Sequence, residues 1–270
     1  MQDLDGRTAV ITGGAGAIGL AMARVLASHG MQIVLADVEQ AALDAAADDL
    51  TAAGAEVLAV VSDVSDAASV EALADRAEQR FGHVHVVCNN AGVVTPHDAW
   101  GSLEDWEWVL GVDLWGVIHG VHTFVPRMLA HGEPGHIVNT ASVAGILTFP
   151  GIPSYSVAKQ GVVAISESLL HTLTDEPIGV SVLCPGAVRS GIGTSERNRP
   201  GRPADAPEPQ RARPWAPETL EPDEVAQQVL DAIRTETFWI FPHDHYVEMH
   251  HERALSMREG TPPPPAATPR

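Results

Sequence analysis

The chain has 270 residues, 45% of them hydrophobic and 19% charged, enough to bury a full core and too apolar for a disordered polymer. Sixteen basic against 35 acidic residues give a net charge of −19, the wrong sign for binding a nucleic-acid backbone. No apolar run reaches the roughly 18 residues of a membrane span, and MQDLDGRT carries neither a basic nor an apolar leader, so neither a membrane nor a secretory signal is expected. Cys88 and Cys184 each lie inside an apolar run and read as reduced thiols of a cytoplasmic protein.

Short apolar runs alternate with longer periodic segments. Strands are expected at 7–12, 32–36, 56–61, 84–89, 136–140, 179–183 and 238–241. Helices are expected at 17–29, 39–53, 67–81, within 103–130, and at 155–174 and 223–234. Such alternation predicts crossover units and a parallel sheet, and Val/Ile/Leu-rich strands predict that both of its faces are covered. The fold class is α/β: one doubly wound, Rossmann-like domain over 1–259, with a mostly parallel seven-stranded sheet flanked by helices. Residues 190–222 carry seven of the 20 prolines and are expected to form a substrate lid. Residues 260–270, ending TPPPPAATPR, are expected to be a disordered tail.

The first strand runs into Thr12-Gly13-Gly14-Ala15-Gly16-Ala17-Ile18-Gly19 and then a helix. Glycines at that junction let backbone N–H groups approach a pyrophosphate, so Gly13, Gly16, Ile18 and Gly19 are candidate cofactor contacts. Asp37 ends the second strand 18 residues after Gly19, where a carboxylate accepts the ribose hydroxyls and repels a 2′-phosphate. The alternative for Asp37 is a helix cap. No basic residue lies in the glycine turn or just after Asp37, which favours NAD over NADP.

The one lysine, Lys159, follows Tyr155, one of two tyrosines, by four residues, which places both on one helix face. A phenol is a poor acid–base at neutral pH, and a neighbouring ammonium is expected to lower its pKa. With Ser142 orienting a substrate oxygen, the set supplies what hydride transfer at a carbinol needs.

In this order of motifs the sequence resembles the short-chain dehydrogenase/reductase family over about residues 5–190. The motifs are Thr12–Gly19, Asp63-Val64, Asn89-Asn90-Ala91-Gly92, Ser142, Tyr155-x-x-x-Lys159 and Pro185-Gly186. The resemblance implies that Asp63 and Val64 hold the adenine and that Asn90 borders the cofactor. It implies that Tyr155 and Lys159 contact the nicotinamide ribose, and that Pro185, Gly186 and Val188 border the nicotinamide, with Ser190 where a threonine is common. Two positions depart from it. Ala17 replaces a glycine, and Asp113 replaces the asparagine that helps hold a water on the catalytic lysine, which adds a negative charge near Lys159. A looser likeness of 117–128 and 238–243 to bacterial dehydrogenases of lignin-derived benzylic alcohols bears on pocket size.

The expected activity is hydride transfer between NAD(H) and a secondary alcohol or ketone, with an apolar or ring-containing substrate, by a homodimer or homotetramer. The alternatives are a non-catalytic NAD-sensing module and a dehydratase or epimerase. Five residues, His243, Asp244, His245, His250 and His251, cluster near the C-terminus. They read as a solvated helix start or subunit contact, since the second half of a zinc site is missing and no metal is expected. Trp100, Trp106, Trp108 and Trp115 read as packing or interface anchors.

Overall fold

The computed structural model describes residues 1–203 and 218–264. The middle of the expected lid, with Trp215, Arg211 and Arg213, and most of the expected tail lie outside the described residues. Among the described residues seven strands form one wholly parallel sheet in the order β3-β2-β1-β4-β5-β6-β7. In chain order these are β1 (Thr8–Thr12), β2 (Gln32–Asp37), β3 (Val57–Val61), β4 (Val86–Asn89), β5 (Gly135–Thr140), β6 (Ile178–Leu183) and β7 (Trp239–Ile240). The expected last strand, 238–241, keeps two residues, and Val182 stands beside Trp239.

Alternation along β1 explains the layers. Ala9 and Ile11 face the helices α1 (Ala17–Ala27), α2 (Gln40–Ala52) and α7 (Pro222–Thr235), meeting Leu26, Leu43, Val229 and Ile233. Val10 faces the other layer: α3 (Ala67–Phe81), α4 (Leu103–Leu110), α5 (Gly116–His131) and α6 (Pro153–Thr172). There it belongs to a core with Leu73, Phe124, Met128 and Leu169. The combined run Leu103–His131 is long and apolar enough to cross a membrane by composition alone, but Phe124 and Met128 spend its apolar face on the sheet.

The expected long helix within 103–130 is interrupted. Gly111–Trp115 forms a π-helical turn between α4 and α5, and the extra residue rotates Asp113 to full burial. A further helix, α8 (His245–Glu259), begins at the histidine cluster; a helix start is one of the two expectations there, its 15-residue length is not. Its apolar residues, Tyr246, Val247, Met249, Leu255 and Met257 among them, are scattered round the helix, so no apolar stripe marks it.

Strand order reverses at β1, whose neighbours are β2 and β4, so a crevice opens beyond the carboxyl ends of β1 and β4. The glycine turn leaves β1 there, Asn90 leaves β4, and Ser142 follows β5 by two residues.

Candidate active site

The glycine turn is shaped for close backbone approach. Gly13 has φ +63°, and a Cβ on it would come within 2.9 Å of Ala91 Cα. A Cβ on Gly19 would overlap the Gly13 carbonyl. Gly16 caps α1, and Ala17, the residue in place of a glycine, is its first helical residue; it needs no left-handed backbone, so its methyl is accommodated. Ile18 sits half-buried one residue further along α1. Thr12 Oγ1 accepts from the Asn90 and Ala91 amides at 2.9 and 3.1 Å, and Asn90 Nδ2 donates to the Thr12 carbonyl at 3.0 Å. Asn90 therefore fastens the two strand ends that frame the crevice.

Asp37 ends β2 with one carboxylate oxygen accepting from Ala15 N (3.1 Å) and the other from Glu39 N (3.2 Å). The acid thus tethers the glycine turn as well as the start of the following segment. Burial raises its pKa against those two bonds. Asp63 is exposed beyond β3 and accepts from Ser65 N and Oγ at 2.9 and 2.7 Å. Val64 is buried, and a Cβ on Gly116 would come within 2.7 Å of its Cγ2.

The sequence reading missed a cation in this neighbourhood. Arg197, 158 residues from Glu39, grips that carboxylate with Nε at 3.1 Å and Nη2 at 2.6 Å; Asn198 Nδ2 adds a third bond at 2.8 Å. The remaining guanidinium nitrogen donates to the Gly191 and Thr194 carbonyls. A salt bridge across such a sequence gap has no local signal.

At the other end of the crevice, α6 carries Tyr155 and Lys159 one turn apart, with the ammonium 5.4 Å from the ring centroid. Lys159 Nζ donates to the Thr140 carbonyl at 3.1 Å and lies 3.0 Å from Asp113 Oδ2, while Asp113 Oδ1 accepts from Val93 N at 2.8 Å. Lys159 and Asp113 are almost wholly buried, at 2% and 0% exposure. Asp113 is thus a direct counter-ion of Lys159. Burial alone would lower the lysine pKa, but the Asp113 carboxylate and Tyr155 turn the balance upward, so the ammonium stays charged.

The expected downward pull of Lys159 on the Tyr155 pKa is present, but burial outweighs it. Burial raises the pKa most; Lys159 and a hydrogen bond with Ser142 pull it down, and Asp113 pushes it up again, leaving it above the ordinary phenol value. Ser142, buried and extended, accepts from Ala144 N at 3.1 Å and donates to the Pro185 carbonyl at 3.4 Å. Pro185 is buried, Gly186 half-buried, and Val188 packs into the core while bridging Leu220. Ser190 is half-buried at the start of the proline-rich segment.

That segment continues as a 3₁₀ turn, Ile192–Asn198, with Ile192 half-buried. Ser195 Oγ bonds both Val94 N (2.9 Å) and Val94 O (3.0 Å), and Arg199 pairs with Asp105 and lies 5.0 Å over the Trp108 ring. Trp106 stands edge-on to His97, whose Nε2 meets Ser154 Oγ at 2.7 Å beside Tyr155; Trp100 and Trp115 are exposed.

The C-terminal histidines do not converge. Asp244, His245 and His251 are exposed, as a solvated helix start predicts, but His243 is buried at 6% exposure and His250 Nδ1 bonds the Ile146 carbonyl at 2.9 Å. The solvated reading fails for His243 because the loop from β7 folds back over Gly186. His83, His131 and Glu133 come together at the opposite end of the sheet, where both His131 nitrogens are already used by Val84 O and Glu133 N.

The family model described as short chain dehydrogenase matches residues 7–201. Among curated relatives, a 1-deoxy-11-beta-hydroxypentalenate dehydrogenase of Streptomyces avermitilis is 38% identical, over 87% of this chain and 83% of its own length. The C alpha-dehydrogenase of a Sphingobium species is 32% identical, over 90% and 82%. A short chain dehydrogenase/reductase from Burkholderia phymatum, solved in complex with NAD, superposes with a TM-score of 0.91 at 40% identity and covers both chains completely. With this sheet order, glycine turn and Ser142–Tyr155–Lys159 set, the chain belongs to the short-chain dehydrogenase/reductase family of nicotinamide-dependent oxidoreductases.

Proposed function

We propose that this dehydrogenase interconverts an apolar, ring-containing secondary alcohol and its ketone, with Tyr155 as the proton carrier. The observation that carries this is the Ser142–Tyr155–Lys159 arrangement beside the Pro185–Val188 turn at the crevice. In oxidation Tyr155 takes the proton from the carbinol oxygen, the buried Lys159 ammonium stabilises the phenolate, and Ser142 holds the oxygen toward the phenol. NAD, when bound, accepts the hydride. Gly13, Gly16, Ile18, Gly19, Asp37, Asp63, Val64, Asn90 and Ser190 are the chain's proposed contacts to it, together with Tyr155, Lys159 and the 185–188 turn.

The cofactor is NAD. The glycine turn leaves room for backbone against a pyrophosphate, each Asp37 oxygen keeps a lone pair for a ribose hydroxyl, and the guanidinium of Arg197 is committed to Glu39. The relatives whose names carry a hydroxypentalenate and a 3beta-hydroxysteroid support a ring-bearing substrate. Residues 190–222 are proposed as the lid over it. A panel of secondary alcohols with NAD and NADP, followed at 340 nm, tests the reading; turnover only with NADP, or none with any ring-bearing alcohol, overturns it.

We place the enzyme in the cytoplasm, which suits two buried free thiols whose pKa values burial pushes up to about 12. Assembly as a homodimer or homotetramer is proposed from the apolar groove of Val121, Ala164, Ile165 and Leu169 between α5 and α6, with Trp115 exposed on the turn before α5 and Trp239 on the edge strand. Light scattering on the eluting protein should give a dimer or tetramer mass, and Ile165→Glu should lower it; a monomer at micromolar concentration removes the proposal.

A further inference from the structure

The turn after β6 is held from three sides. Val143 N donates to the Pro185 carbonyl at 3.0 Å, and Leu220 N donates to the Ala187 carbonyl at 3.0 Å. From the third side, Gly186 N donates to His243 Nδ1 at 3.2 Å. A backbone N–H can only donate, so Nδ1 is bare and the ring proton sits on Nε2. That nitrogen lies 3.2 Å from the Glu218 carbonyl, which can only accept. Both partners therefore demand the same neutral tautomer. Tyr246 locks the arrangement: a Cβ on Gly186 would come within 2.7 Å of its Cε2, and its ring stands edge-on to the imidazole at 6.1 Å.

One imidazole thus joins three parts of the chain. Gly186 belongs to the turn proposed to border the nicotinamide. Glu218 lies in the last described part of the proline-rich segment. His243 itself enters from the loop between β7 and α8. We propose that His243 is a positioning residue of the dehydrogenase, its neutral imidazole setting the Pro185–Val188 turn on which the nicotinamide half of the cofactor rests. This rests on the NAD-dehydrogenase reading above.

Protonation would put a hydrogen on Nδ1 against the Gly186 N–H and break the bond. Among the described residues the ionisable groups facing the ring are His245, with centroids 6.2 Å apart, Tyr246 and the Glu218 carboxylate. Burial and His245 favour the neutral ring, the Glu218 groups and the Ala187 backbone oppose, and the pKa lies below the ordinary histidine value. The bond is intact at neutral pH and is lost as the medium becomes acid.

Calorimetric titration of NAD and of ADP-ribose, which lacks the nicotinamide, isolates this effect between pH 8 and pH 5.5. H243F keeps a ring beside Tyr246 but offers Gly186 no acceptor. NAD should bind about 5- to 30-fold more weakly, the scale of one unmade buried hydrogen bond, with ADP-ribose affinity unchanged. H243N offers Gly186 an amide oxygen that does not titrate. It should bind NAD nearly as the wild type does at pH 8 and remove the acid-side loss of NAD affinity relative to ADP-ribose. If H243F does not fold, the H243N pH comparison decides alone. Equal losses for both ligands, or a wild-type pH dependence that H243N preserves, overturn the positioning role while leaving the dehydrogenase intact. A wild type that binds ADP-ribose but not NAD overturns the dehydrogenase reading itself and the proposal with it.

Discussion

Asp113 puts a carboxylate 3.0 Å from the ammonium that has to hold a phenolate, and its charge opposes ionisation of Tyr155. The proposed oxidation needs the phenolate, so the carboxylate places the alkaline rise of the rate at higher pH than a neutral side chain would. Asp113→Asn should therefore move the midpoint of kcat/KM for alcohol oxidation toward acid, because a source of upward shift in the phenol pKa disappears. The pH profiles of both proteins, measured with saturating NAD, check the sign, and a shift toward alkali would refute it. Tyr155→Phe should cost about 10²–10⁴-fold in turnover, the usual worth of a positioned general acid or base, while NAD binding stays near the wild-type value. A Phe variant with near-normal kcat would sink the mechanism. Lys159→Ala should damage turnover and NAD affinity together, since the same ammonium is proposed to serve both.

Elements were legible where the chain repeats a period. All seven strands lie within a residue or two of the expected bounds, because most are runs rich in branched apolar residues under two covered sheet faces and the last is the aromatic run 238–241. The glycine turn, Asp37, Ser142 and the Tyr155–Lys159 pair were legible because each is a local spacing. What escaped notice depends on tertiary approach or on geometry with no pattern. The π turn at Gly111–Trp115 is one extra residue in an otherwise helical run, the length of α8 is marked by no apolar stripe, and Glu39 meets Arg197 across 158 positions. That last contact bears on the lid. Its first described turn is tied to the loop after β2 by Glu39, to the loop after β4 by Val94, and to α4 by Asp105. Such a strap crosses the carboxyl edge of the sheet, from the proposed nicotinamide end to the proposed ribose end. Glu39→Gln should leave the strap weakly held and free Arg197 for a 2′-phosphate. Faster NADH release in stopped flow and a rise in the NADP-to-NAD ratio of kcat/KM are expected. The reversal Glu39→Arg with Arg197→Glu should restore slow release if the pair itself holds the strap. Release rates unaltered by either change would show that it does not.

At the scale of the whole molecule, a buried ionisable group ties native stability to pH. His136 lies in β5 at the centre of the sheet, 0% exposed, between β4 and β6. Ser181 Oγ donates to the Thr237 carbonyl at 2.6 Å, so at 2.7 Å from His136 Nε2 it accepts, and the ring proton sits on Nε2. Nδ1 is buried with no hydrogen-bond partner, so a proton there would have nothing to meet. Burial, with a smaller push from the N-terminal charge, lowers the pKa to about 3 from an ordinary 6.5. The native state therefore refuses a proton that the unfolded chain takes up below about 6.5, and native stability falls as pH drops through that window. The slope from this single group approaches about 1.4 kcal/mol per pH unit once the unfolded histidine is fully protonated. His136→Gln retains an N–H toward Ser181 and cannot titrate. Urea unfolding of both proteins between pH 7.5 and 5 isolates the group, since the other titrations are common to the pair. The wild-type stability minus that of the variant should decrease steadily below pH 6.5. A difference that stays constant across the range would mean that the His136 imidazole finds a partner for its second proton in the native sheet.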